Sequence, residues 1–148
     1  MKKAAFLSYN SIAGFSAGWI DGTTDCKALI IPCSHGSSAA PKVRSEAQCH
    51  DVTNEITRLW AQLREHVKEL DYIVVYVGSD GSENAITLAS ELPSEKVTFV
   101  MCDCRLGTKD ELLRRAGHTN ARQIMCECRG LETMGRLCKR FLDTGMIG

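Results

Sequence analysis

Asp71-Tyr-Ile-Val-Val-Tyr-Val-Gly-Ser-Asp-Gly-Ser-Glu-Asn84 is the stretch that decides the fold. Tyr72–Val77 is rich in β-branched and aromatic residues, and Ile73, Val74 and Val75 run uninterrupted at its centre. That pattern belongs to a strand covered on both faces. Gly78-Ser-Asp-Gly81 breaks the run, and Ala85, Leu88, Ala89 and Leu92 then recur at helical spacing. A strand, a glycine turn and a helix in succession form the first part of a unit that builds parallel sheets.

The same grammar extends outward in both directions. Lys3–Ser8 and Ala28–Cys33 read as strands before this unit, and Val97–Cys102 and Gln123–Cys128 as strands after it. Between Asp51 and Leu70, the residues Val52, Ile56, Leu59, Leu63, Val67 and Leu70 form one apolar stripe, with Asp51 at the N-cap position. Thr108-Lys-Asp-Glu111 fits a capping box, with Thr108 as cap. A last helix over 131–142 turns Leu131, Met134, Leu137, Cys138 and Phe141 inward, and Arg136, Lys139 and Arg140 form a basic stripe on it that reads as solvated. Asn10–Lys27 reads either as a loop with a short helix or as a hairpin turning at Trp19–Gly22. The expected architecture is a three-layer α/β domain over residues 1–148, with a mostly parallel five-stranded sheet. It resembles generic Rossmann-like and flavodoxin-like domains. A flavodoxin proper would carry a phosphate loop after the first strand, and Ser8-Tyr-Asn-Ser-Ile-Ala-Gly14 does not match one.

Composition narrows the function classes. A chain of 148 residues with 44% hydrophobic and 24% charged residues is globular and can bury an ordinary core. Lysine plus arginine balance aspartate plus glutamate at 18 each, which excludes a general nucleic-acid coat or a polybasic membrane anchor. No run approaches the roughly 20 apolar residues of a membrane span. Lys2 and Lys3 precede only four apolar residues, Ala4–Leu7, too few for a secretory signal. A cytoplasmic location is therefore expected, where disulfides are rare. The eight cysteines then read as buried thiols, metal ligands or catalytic groups.

In a parallel α/β sheet, ligands bind outside the carboxyl ends of the strands. The richest loop there is Gly78-Ser-Asp-Gly-Ser-Glu-Asn84. Gly78 and Gly81 permit close backbone approach, Ser79 and Ser82 add hydroxyl donors, and the amides opening a helix near Asn84 suit a phosphate or carboxylate. It is neither a Walker loop nor the dinucleotide fingerprint. Its bland reading is a tight turn capped by Asp80 or Ser82. Cys33-Ser-His35-Gly-Ser-Ser38 brings a thiol and an imidazole together, the pair a cysteine nucleophile needs, or is a polar loop with one buried thiol.

Met101-Cys-Asp-Cys-Arg105 recurs as Met125-Cys-Glu-Cys-Arg129, 24 residues later, the length of one strand–helix unit. The two copies should sit at equivalent ends of two strands. Three readings compete. Cys102, Cys104, Cys126 and Cys128 could bind zinc, although Cys-x-Cys is not the usual knuckle spacing. Asp103 and Glu127, with Asp80, could serve phosphoester chemistry around a magnesium ion. Or the cysteines are small buried apolar residues, and the acids pair with Arg105 and Arg129.

The reading these features favour is binding of a small phosphorylated or nucleotide-like anion at the carboxyl edge, with phosphoester hydrolysis as the reaction its acids suit. Ser79, Gly81, Ser82, Asn84, Cys33, Arg105 and Arg129 are the candidate ligand contacts, and His35, Asp80, Asp103 and Glu127 the candidate catalytic groups. No cofactor or resident metal is named by the sequence. Two alternatives stand beside it: a non-catalytic assembly module forming a homodimer through a helix face or sheet edge, and a cysteine-based metal or thiol-redox protein. His66 and His118 have no partner that the sequence reveals.

Overall fold

The computed structural model describes residues 1–8, 18–32, 58–77, 90–102, 106–126 and 130–148. Six strands form one sheet: β1 (Lys2–Ser8), β2 (Gly18–Asp21), β3 (Cys26–Pro32), β4 (Tyr72–Val77), β5 (Val97–Cys102) and β6 (Arg122–Cys126). Their order is β2-β3-β1-β4-β5-β6. All neighbours pair parallel except β2, which runs antiparallel to β3. Helical residues 58–66 form α1, Leu106–Arg115 form α2, and Gly130–Thr144 form α3. The chain is thus an α/β protein with helices on both faces of a mostly parallel sheet.

The expected five strands are six. The additional one, Gly18-Trp-Ile-Asp21, places Trp19 opposite Leu29 and Ile20 opposite Ala28. Four residues are too few to show a period, so only pairing with β3 reveals them as a strand. The hairpin turns at residues 22–25 rather than at Trp19–Gly22, and Gly22 N–H donates to the Cys26 carbonyl at 2.8 Å. β3 is described to Pro32 and β6 to Cys126; Cys33 and Cys128, the expected last residues of these strands, lie outside the described residues. β6 stops where its only described partner stops, at the pair Cys102–Cys126. α2 opens at Leu106, which makes Thr108 its third residue and not its cap. The backbone enters the helix within a few residues of leaving β5, before the capping box is reached.

Why the faces are covered as they are follows from direction. The steps β3 to β4, β4 to β5 and β5 to β6 all advance the same way across the sheet, so right-handed crossovers place their helices on one side. Leu59, Trp60 and Leu63 of α1 and Leu113 of α2 accordingly join Leu7, Ile31, Val75 and Phe99 in one buried cluster. The opposite face meets α3 through Met134, Cys138, Phe141 and Leu142, which pack with Phe6, Ile30, Val74 and Val100. Phe141 is the centre of that contact, its ring 6.2 Å from Phe6 and 5.9 Å from Tyr72. No helix among the described residues is long and apolar enough to cross a membrane.

Candidate functional site

The parallel arrangement sends β1, β3, β4, β5 and β6 to the same edge with their carboxyl ends. Along that edge the chain exits at Pro32, Ser8, Val77, Cys102 and Cys126, in spatial order. Adjacent exits are about 4.8 Å apart. The chain leaves β1 toward β2 and β3 on one side, and leaves β4 toward β5 on the other. That divergence is the topological switch point, where sheets of this class bind ligands. It lies between the ends of β1 and β4.

All the candidate site residues fall outside the described residues: Cys33, His35, Ser79, Asp80, Gly81, Ser82, Asn84, Asp103, Arg105, Glu127 and Arg129. The strands they follow are nonetheless placed. Gly78–Asn84 follows β4 in the sequence, and the end of β4 borders the switch point. Asp103 and Glu127 come directly after Cys102 and Cys126, which are register partners on neighbouring strands. The 24-residue repeat therefore does what its spacing predicts for its strand portions: Met101 pairs with Met125 and Cys102 with Cys126. Asp80, Asp103 and Glu127 leave from three successive strands. Cys33 and His35 leave from β3, on the far side of β1, with four strand spacings (about 19 Å) between the ends of β3 and β6.

Segment 9–17, whose start the sequence reading weighed as a phosphate loop and set aside, follows β1, the other strand at the switch point, and lies outside the described residues. It carries no phosphate-loop motif. Its position depends on β1 being central, and the one signal for that is the uninterrupted Ala4-Ala-Phe-Leu7, each residue fully buried.

The opposite edge of the sheet shows where polar groups are consumed by architecture. Lys96 Nζ donates to the carbonyls of Val67 and Lys68 at 3.0 and 3.1 Å, closing the end of the α1 segment. Lys3 N–H donates to Asp71 Oδ2 at 2.9 Å, and Asp71 N–H to the Lys3 carbonyl at 2.8 Å. His66, which the sequence left without a partner, is 3.0 Å from Glu69 through Nδ1, and Trp19 meets its ring edge-on at 5.7 Å. His118 is buried, 2.8 Å from Ser94 Oγ and edge-on to Phe99. It follows Gly117, whose φ of 79° ends α2 in a Schellman turn: His118 N–H donates to the Leu113 carbonyl and Gly117 N–H to that of Arg114. Both histidines are structural.

Two described cysteines lie away from the candidate edge. Cys26 opens β3 at the other end of the sheet, with its Sγ 3.3 Å from Thr24 Oγ1. Cys138 is fully buried under α3, where burial pushes its thiol up to about 12, so it is no nucleophile at neutral pH. No group of three or more potential metal ligands occurs among the described residues. A cavity of about 430 Å³ opens elsewhere, between α2 and β6, lined by Asp110, Glu111, Leu113, Arg114, Thr119 and Gln123.

No family model matches the chain, and no curated protein matches it. Among solved structures, it is similar to one described as the crystal structure of a probable GTP-binding protein engB. The identity is 12%, over 94% of this chain and 96% of that one, with a TM-score of 0.48.

Proposed function

We propose that residues 1–148 act as one unit that binds a small phosphorylated or nucleotide-like anion at the carboxyl edge of the sheet. The observation that carries the reading is the strand order. It sets the exit of β4, the strand that the Gly-Ser-Asp-Gly-Ser sequence follows, beside the exit of β1 at the topological switch. In this reading Ser79, Gly81, Ser82 and Asn84 cradle the anion through backbone amides and hydroxyls. Arg105 and Arg129, one and two strands away, supply positive charge, and Cys33 closes the β3 side. Asp80, Asp103 and Glu127 leave from three consecutive strands, the layout that phosphoester hydrolysis around a hydrated divalent ion would use, with His35 as a proton carrier from the β3 side.

The test is a thermal-shift and calorimetric titration with inorganic phosphate, phosphosugars and nucleoside mono-, di- and triphosphates. A ligand at about 100 times its dissociation constant stabilises the fold by roughly 2.7 kcal/mol, a clear rise in melting temperature. Ser79→Ala with Ser82→Ala should abolish that rise. An unchanged melting temperature with every anion sinks the reading. Phosphate release that persists in Asp103→Asn with Glu127→Gln sinks its hydrolytic part.

A further inference from the structure

We propose that β6 is a dimerisation edge, pairing antiparallel with β6 of a second copy of this chain about a twofold axis at Ile124. β6 is last in the sheet, and among the described residues its only strand partner is β5. Open sheet edges are usually blunted by charge, proline or cover, because their unpaired amides and carbonyls accept another strand. Among the described residues, β6 is not blunted in this way. Its sequence, Arg122-Gln-Ile-Met-Cys126, has a single charge at one end, and Met125 is 48% exposed in its second half. The Arg122 guanidinium is directed to its own chain, with Nη1 donating to the Ile147 carbonyl at 3.1 Å.

The strand is complementary to itself in one register. With Ile124 opposite Ile124 of the copy, Gln123 stands opposite Met125, and Met125 opposite Gln123. Gln123 and Met125 share the face that carries α2, and Gln123 lines the open cavity of about 430 Å³ beside α2, with Leu113 in its wall. Each exposed Met125 is therefore brought to the mouth of the other copy's cavity, where its flexible thioether can fill an irregular space. The two Arg122 residues fall at opposite ends of the seam, about 13 Å apart along it, so no like charges meet. The same axis sets the two α2 helices side by side and antiparallel. This inference is independent of the anion reading.

Sedimentation equilibrium under reducing conditions tests it. The chain should sediment at twice its mass of 16.3 kDa. Met125→Lys should halve that mass with its circular dichroism unchanged. Gln123→Glu added to Met125→Lys should restore the dimer, because in this register each new lysine faces a new glutamate. Met146→Lys, at another exposed methionine, should leave the dimer intact. Gln123→Arg is a second variant of the seam, should Met125→Lys fail to fold, and should likewise halve the mass. A wild-type chain that stays at 16.3 kDa across the concentration range overturns the proposal. So do a folded Met125→Lys or Gln123→Arg that remains dimeric, a double variant that stays monomeric, and a Met146→Lys that dissociates.

Discussion

Alkaline pH should destabilise this protein through one buried thiol. Cys138 has no exposed surface and sits in the cluster that includes Phe6, Ile30 and Phe141. Burial alone pushes its ionisation from the ordinary 9.0 to about 12. Because the folded value is raised, the unfolded chain loses this proton first, and deprotonation favours unfolding. The stability that depends on the neutral thiol is whole below the ordinary value and falls as pH rises from there toward the folded value. Each pH unit in that window removes roughly 1 to 1.5 kcal/mol, so a rise from about pH 9 to about pH 10.5 removes about 2 kcal/mol. Cys138→Ala deletes the titrating group and costs about 1 kcal/mol at neutral pH through lost packing. The variant should start less stable than the wild type, converge with it as pH rises, and overtake it near about pH 10. Other groups that titrate in this range are common to both proteins and cancel in the difference. Urea unfolding of both at a series of pH values reads the effect. Parallel stability curves for the two proteins between about pH 9 and about pH 10.5 would refute the reasoning.

Other perturbations probe the parts that hold the sheet ends in place. Ser94→Ala removes the contact to His118 Nδ1 and the bond to the Gly117 carbonyl, joining two turns at the edge opposite the candidate site. It should cost about 1 to 2 kcal/mol in urea unfolding, and a variant as stable as the wild type would show that the pair is not needed. Gly22→Ala would set a Cβ 2.5 Å from the Leu142 carbonyl oxygen, which also accepts from Thr24 Oγ1 at 3.1 Å. The β2–β3 turn must then move off the end of α3, at a cost of about 1 to 3 kcal/mol, visible as a lower melting temperature. Bonds from Lys3 first and His66 second hold the Glu69 carboxyl below its ordinary 4.5. Its folded value is depressed, so the stabilisation is present above the ordinary value and is lost as pH falls through the lowered one. Lys3→Met should move Glu69 back toward 4.5 in an NMR titration, and an unmoved value would remove Lys3 as the cause.

Continuous apolar runs were legible because central parallel strands are buried on both faces and need no alternation. Tyr72–Val77 and Val97–Cys102 match their predicted bounds to the residue. The α3 stripe was legible through Met134, Cys138 and Phe141, which recur at three- and four-residue spacing. β2 was not, since four residues with a glycine at one end show no period. The partners of His66 and His118 were equally hidden. Trp19 reaches His66 across 47 positions, and Ser94 reaches His118 across 24, so both contacts exist only after the sheet has formed.

The candidate site divides in the same way. Sequence by itself determined, to within about two residues, which stretch follows each strand, because local composition dictates where an apolar run stops. It also determined that the two Met-Cys repeats occupy equivalent positions, since 24 residues is the length of one crossover. Only the tertiary structure decided which strand ends are neighbours. The order β2-β3-β1-β4-β5-β6 sets the β1 and β4 exits side by side, joins the two repeats at Cys102 and Cys126, and separates β3, the strand before His35, from β5 by two strands and from β6 by three. Strand order arises from crossover handedness and from the burial of the most apolar strands at the centre, and both are properties of the assembled sheet.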